Sequence, residues 1–121
     1  MAKNNDIGIE GENLSCQYLT TLGYEVLARN WRFKRAEIDI IAKQNDVLIF
    51  VEVKAKTYDF YGDPAESITQ RKEDFMVDAA TQYCIEVGHD WEIRFDIIAI
   101  IIHPNGTHTL NHYPDAFFPG L

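Results

Sequence analysis

Little in this sequence could hold a fold together covalently or anchor it in lipid. Its 121 residues include 2 cysteines and 4 prolines. Two thiols make no disulfide framework, and Cys16 and Cys84 are expected to be reduced, mostly packed residues of a cytoplasmic protein. The longest apolar run, Ile97 to Ile102, is six residues, far short of the ~18 of a membrane helix. The opening M-A-K-N-N-D lacks the apolar segment of a secretory signal, and no membrane partner is expected. Basic residues are scarce as well, 11 Lys+Arg against 19 Asp+Glu for a net charge of −8. That balance argues against a general affinity for nucleic acid, which needs positive charge to displace counterions. Repeats, linkers and low-complexity segments are missing, and the length predicts one domain over residues 1–121.

What is present is an ordinary apolar fraction, 46%, arranged with clear periodicity. Gly11 to Leu22 places Leu14, Tyr18, Leu19 and Leu22 on one helical stripe, with Gly23 as a left-handed cap. Tyr24–Phe33, Arg35–Ala42 and Asp46–Lys56 read as three strands, the last two joined by the turn K-Q-N-D. Tyr58 to Pro64 reads as a loop. Ala65 to Val87 predicts a long helix with Ile68, Phe75, Ala79, Tyr83 and Val87 inward, ended by Gly88. Glu92–Ile102 is a fourth strand, nearly continuous in apolar residues and so covered on both faces. Thr107–Asn111 is a short fifth strand, and Phe117 and Phe118 are expected to pack the tail. The order predicts an α/β fold, a mixed sheet of four to five strands flanked by helices. The long helix before the fourth strand permits a parallel crossover.

The segment E-I-D-I-I-A-K-Q-N-D-V-L-I-F-V-E-V-K, residues 37–54, sets Glu37, Asp39, Glu52 and Lys54 into apolar strands. A buried charge costs several kcal/mol unless paired or bound to a cation, so four such positions suggest chemistry. Side chains alternate along a strand, which puts Glu37 with Asp39 and Glu52 with Lys54. A loop of two or four residues within Lys43–Asp46 would set Asp39 opposite Phe50, Glu37 opposite Glu52 and Arg35 opposite Lys54. A loop of odd length would split the charges across two faces. Gathered carboxylates suit a hard divalent cation such as Mg²⁺, which activates water and stabilises charge on phosphorus. Lys54 beside them could orient the nucleophile or offset phosphate charge. The competing reading is a structural Lys–Glu pair. Between Arg29 and Lys72 the chain carries 9 Lys+Arg against 7 Asp+Glu, so the basic residues gather in this same segment.

These blocks resemble the YraN-like family of small bacterial proteins, predicted endonucleases of the restriction-endonuclease-like, PD-(D/E)xK superfamily. The resemblance rests on G-x-x-G-E at 8–12, L-G-Y at 22–24, R-N-W-R at 29–32, E-I-D-I-I-A at 37–42 and F-V-E-V-K at 50–54. It continues through Y-G-D-P at 61–64, Lys72, R-F-D at 94–96 and Ala116-Phe117. It implies a restriction-endonuclease-like three-layer fold and a Mg²⁺- or Mn²⁺-dependent endonuclease acting on nucleic acid, with DNA favoured and branched or single-stranded structures among the candidate substrates. Asp39 and Glu52 would be metal ligands with the Val53 carbonyl as a third, Lys54 the catalytic lysine, and Glu12 an acid completing the site. The family usually has glycine where this chain has Ala36.

Accessory roles are considered for Glu12, which a helix-start position would also explain, for Glu37 and for Lys72 as a phosphate contact. Arg29, Arg32, Lys34, Arg35 and Lys56 form a candidate phosphate-facing rim. Arg94 and Asp96 share a strand face and are expected to pair structurally. Zinc at His103, His108 and His112 is disfavoured by their spacing. Trp31 could stack on a base, with burial the stronger expectation. The rival function is a non-catalytic nucleic-acid-binding or assembly protein on the same fold, and a hydrolase of small phosphorylated molecules is a third class. A homodimer is left open.

Overall fold

A computed structural model describes residues 4–59 and 68–117. The order is α1 (Asn4–Thr21), β1 (Glu25–Phe33), β2 (Ala36–Gln44), β3 (Val47–Thr57), α2 (Gln70–Val87), β4 (Ile93–Ile102) and β5 (His108–Tyr113). The strands form one sheet in sequence order. β3 and β4 run parallel, joined through α2, and every other neighbouring pair is antiparallel. This is the expected mixed sheet, at its five-stranded limit. The expected loop through Gly62 and Pro64, the helix start at Ala65 and the packing of Phe118 lie outside the described residues.

Each helix covers one face of the sheet, which gives three layers. Beneath α1, Leu19 packs with Ile40, Ala42, Ile49, Val51, Ile98 and Ile100. Beneath α2, Met76, Ala79 and Ala80 pack with Ile38, Ile41, Leu48, Phe50 and Phe95. Phe117 stacks on Phe95 with ring centroids 5.1 Å apart, fastening the tail as expected.

The helices differ from expectation in extent and rotation. α1 starts at Asn4 rather than Gly11, so Glu12 lies within the helix and not at its start. Its last stripe residue, Leu22, falls past the helix end and is 49% exposed. Gly23 takes the left-handed cap at φ 90°. α2 begins after Thr69, whose hydroxyl accepts the Lys72 N–H, and ends at Gly88 with φ 71°. Its inner row is Met76, Ala79 and Ala80, about one residue around from the expected stripe. Phe75 and Tyr83 flank that row, and Val87 is 53% exposed. Two adjacent alanines let the helix lie close on the sheet, which a row of aromatics would not.

The β2–β3 hairpin closes on two residues, Asn45 and Asp46, at φ 51° and 70°. Two positive φ values are what a two-residue turn matched to strand twist requires, and Asn and Asp tolerate them. Gln44 therefore pairs with Val47 and Ile40 with Val51. The even loop is borne out. The register lies two residues from the expected one because the turn uses the last two residues of K-Q-N-D.

Beneath α1, β4 and β5 are tied by a buried polar network. Asp96 is 0% exposed and receives both Arg94 Nε and Nη2 at 2.8 Å. It also accepts the Asp115 N–H at 3.0 Å and lies 2.7 Å from His112 Nε2. His112 Nδ1 is 3.0 Å from the Tyr18 hydroxyl, and Arg94 donates to Tyr24 at 2.9 Å. One proton on Nε2 lets the ring donate to the carboxylate and accept from the tyrosine. Burial alone would raise the Asp96 carboxyl, but the bonds from Arg94, His112 and the Asp115 N–H outweigh it and hold it below the usual range. The expected structural pairing of Arg94 with Asp96 is thus present. His112, weighed in the sequence only as a zinc ligand, is its third member. Removing one partner from a buried charged pair costs about 3–5 kcal/mol. Asp96→Ala should lower the urea unfolding free energy by about that much, whereas His103→Ala on the exposed turn should stay within about 0.5 kcal/mol.

Candidate active site

The β2–β3 ladder stops at Ile40–Val51. One residue further along each strand stand Asp39 and Glu52. Here the Asp39 carboxylate acts as a strand partner, its Oδ2 accepting the Val53 N–H at 2.8 Å. The alternation of β2 slips at the same point: Ile38 packs under α2, yet Ile40 packs under α1. On β1, Asn30 adopts φ 51° between the pairs Arg29–Ile40 and Trp31–Ile38, so the neighbouring strand is irregular at the same level. The β2–β3 pairing thus ends beside Asp39, while the β1–β2 ladder keeps its register across the same level. Ala36, in contrast, pairs regularly with Phe33 and has no positive φ, so alanine fits where the family's glycine would stand.

Glu52 continues the α2-facing row of β3 after Leu48 and Phe50. It is 4% exposed. Lys54 Nζ lies 3.4 Å from its Oε2, and Lys72 Nζ reaches across from α2 to 3.5 Å from its Oε1. Among the described residues Oε1 has no hydrogen-bond partner and is shielded from solvent. Burial first, then the nearby Glu52, push the Asp39 carboxyl up to about 8, against the pull of the Val53 N–H; Glu12 adds to the rise and Lys72 offsets it.

Glu12 reaches this region because α1 lies close on β3 at Gly11. A Cβ at Gly11 would stand 2.6 Å from the Ala55 Cβ. Glu12 is 3.5 Å from Arg29 Nη2, which also donates to Asn13 at 2.8 Å. Neither the need for glycine at this contact nor Asn13 was apparent in the sequence.

The structure thus brings together Asp39, Glu52, Lys54 and Lys72, with Glu12 near enough to act on Asp39. It does not bring in Glu37. That residue forms an ion pair with Arg32 at 3.1 Å, directly across the β1–β2 ladder. The expected facing of Glu37 with Glu52 is corrected by the shifted register and by the slip at Asp39. Arg35 likewise sits in the β1–β2 turn rather than opposite Lys54. The expected basic rim divides: Arg29 and Arg32 are engaged with acids, Lys34 and Arg35 stand exposed at the turn, and Lys56 is half-buried late in β3. Trp31 packs edge-on against Tyr83 at 5.3 Å and is not a free stacking face. Cys16 and Cys84 are free thiols on different helices, and burial pushes both up.

Among the described residues no three His, Cys, Asp or Glu side chains converge as a metal cluster, and the three histidines do not meet. The donor set at this site is two carboxylates with neighbouring backbone. It fits a hard divalent ion, which commonly takes one or two protein carboxylates and completes its shell with water and phosphate. Glu52 Oε1, which makes no hydrogen bond among the described residues, and the raised Asp39 carboxyl are both groups that a divalent cation would stabilise.

An opened hairpin carrying an acid, a second acid and a lysine in a three-layer α/β fold defines a class of small protein with a carboxylate–lysine site at the sheet's centre. The model of the uncharacterised protein family UPF0102 matches residues 11–100, and the chain belongs to that family. It is 41% identical to a UPF0102 protein of Flavobacterium psychrophilum over 118 residues, 98% of each chain. A relative from Christiangramia forsetii is 42% identical over 98% of each chain. One from Rhodococcus jostii is 40% identical over 97% of this chain and all of its own. The resemblance to YraN-like proteins is borne out.

The raised Asp39 carboxyl has a consequence for stability. Between about pH 4, where an unfolded aspartate titrates, and about 8 the folded chain retains a proton that the unfolded chain has lost. Stability therefore falls as pH rises through that window. In divalent-free buffer the thermal midpoint should decline from pH 5 toward pH 8, measured by circular dichroism on a common buffer series. Asp39→Asn, which can still accept the Val53 N–H, should flatten that decline and be the more stable form at pH 8.

Proposed function

We propose that this protein is a divalent-metal-dependent phosphodiesterase acting on nucleic acid, with DNA the favoured substrate. The observation that carries the reading is the pair Asp39 and Glu52, two carboxylates held at the end of a broken ladder, with one buried Glu52 oxygen that makes no hydrogen bond among the described residues and an ammonium 3.4–3.5 Å from each Glu52 oxygen. Bound between them, Mg²⁺ or Mn²⁺ would supply a water of lowered pKa and positive charge against the phosphate. The Val53 carbonyl, next in sequence to Glu52, is the backbone ligand this reading favours.

The chain's own residues have separable tasks. Asp39 is fixed by the Val53 N–H, so its second oxygen keeps a defined direction. Lys54, on the same strand face as Glu52, places an ammonium where it can orient the attacking water or donate to a phosphate oxygen. Lys72 brings a second cation from the other layer, suited to the charge that accumulates on phosphorus. Hydrolysis would join water oxygen to phosphorus and break the bond to one ester oxygen, which leaves as a hydroxyl after taking up a proton.

A second reading has specific support. Lys54 and Lys72 already offset the Glu52 charge, and the chain's net charge is −8. Both suit a binding or assembly protein that has lost turnover. Calorimetry with Mn²⁺ separates the two, since no heat at millimolar ion favours the second. For the leading reading, purified protein in Mn²⁺ should cleave branched, nicked or single-stranded DNA. Asp39→Ala and Lys54→Ala should each lower the rate by at least about a hundredfold. Cleavage that survives in both variants would mean a contaminant.

A further inference from the structure

Beside the carboxylate site, on the same face of the sheet, lies a cavity of about 190 Å³ lined by Phe33, Lys34, Arg35, Ala36, Phe75 and Asp78. Its floor is Ala36, part of the core beneath α2, and its walls are two half-buried phenylalanine rings. Cations stand over both rings: Lys34 Nζ is 5.2 Å from the Phe33 centroid, and the Arg71 guanidinium is 5.4 Å from that of Phe75. Among the described residues none of Lys34, Arg35 and Arg71 is in an ion pair, although the chain carries an excess of acids. Three cations with no acidic partner among the described residues, two of them lying over aromatic rings, form a local exception to an acidic protein.

We infer that this cavity takes one unpaired nucleobase of the nucleic acid, with the adjoining phosphates against Lys34, Arg35 and Arg71. Its volume is below the ~300 Å³ of sites that enclose larger ligands, and it suits a flat ring. Aromatic walls hold a base by stacking whatever its identity, while cations on the rim hold the backbone. Asp78 adds an acceptor for an exocyclic amine.

The position suits this use. Phe75 lies three residues after Lys72, so both fall on one side of α2 and the lysine touches Glu52. Ala36 is three residues before Asp39, about 10 Å along β2. A strand with its base in the slot would bring a neighbouring phosphate toward the two carboxylates. A fully stacked duplex has no free base to insert, so the slot selects single-stranded or locally opened substrate.

The substrate class rests on the nuclease reading above, but the test does not depend on turnover. Fluorescence anisotropy of a labelled short DNA single strand with the full chain is measured in EDTA. Three comparisons follow: a duplex of equal length, a strand with abasic sites, and the variants Phe33→Leu and Phe75→Leu, which keep apolar volume and remove the stacking face. The single strand should bind more tightly than the duplex. The abasic strand and each leucine variant should lose about tenfold or more, and the Lys34→Ala/Arg35→Ala pair should show a shallower salt dependence. Equal binding of normal and abasic strands, or no loss in Phe33→Leu, would overturn the inference. So would a self-associated chain, seen by sedimentation, that Phe33→Leu dissociates, because the slot would then hold a second copy. Strand binding through the slot without cleavage in Mn²⁺ would sink the nuclease reading alone. Cleavage that ignores both the abasic change and Phe33→Leu would sink the slot alone.

Discussion

The end of the β2–β3 ladder is the constraint on which the site depends. Past Ile40–Val51 the Asp39 carboxylate, rather than a backbone carbonyl, satisfies the Val53 N–H. A buried amide without a partner would cost about 1–3 kcal/mol, so the side chain makes the break in pairing tolerable. The break in turn lets Ile38 serve the core under α2 while Ile40 serves the core under α1. A regular strand would turn Ile38 and Ile40 to one face and Asp39 away from the β3 backbone. One acid thus joins the sheet's geometry to the position of a second acid, Glu52, on the adjacent strand.

The two buried acid systems of this protein differ in kind. Asp96 has a partner for each oxygen: a forked arginine, a histidine and a backbone amide. Its charge is held by fixed bonds, and its carboxyl is pulled down accordingly. Asp39 has one amide and a like charge as neighbour, and its carboxyl is pushed up to about 8. Glu52 has two ammonium groups at 3.4 and 3.5 Å, longer than charged hydrogen bonds, and an oxygen with no bond. Buried polar networks stabilise only when complete. The Asp96 network is complete among the described residues and ties β4, β5, α1 and Tyr24, just before β1, together. The Asp39–Glu52 pair is incomplete, a defect that folding alone would have little reason to keep.

The sequence made the architecture legible because its signals there are local: the apolar run that opens β3, a capping Gly23 and Gly88, and a continuous apolar β4. The convergence of Asp39, Glu52 and Lys54 was readable from strand parity once the loop was taken as even. Other features depended on information that no window of sequence holds. Which two residues of K-Q-N-D make the turn decides the register, and it fell on Asn45 and Asp46, which tolerate positive φ. Strict alternation placed Glu37 beside Asp39, and the slip at Asp39 invalidates that inference. The hydrogen bond between His112 and Asp96 and the ion pair between Lys72 and Glu52 join residues 16 and 20 positions apart, brought together only by the folded sheet and its crossover helix. Thr69 is the kind of residue that caps a helix start, but apolar periodicity carried back to Ala65 hides it.

Charge distribution shows why counting along the chain misjudges a binding surface. The segment from Arg29 to Lys72 has a slight basic excess, yet Arg29 and Arg32 are engaged with Glu12 and Glu37 and contribute little outward field. What remains is a small cluster at the β1–β2 turn and the start of α2, set against aromatic rings. With a net charge of −8, long-range attraction cannot draw a polyanion to this protein, and screening limits it further beyond about 10 Å. On the proposed reading, recognition of nucleic acid would have to act at contact distance, through stacking, short-range pairing and any ion held by the carboxylates. Such a protein would meet nucleic acid slowly and release undistorted duplex readily, and it would hold best where a base is already free.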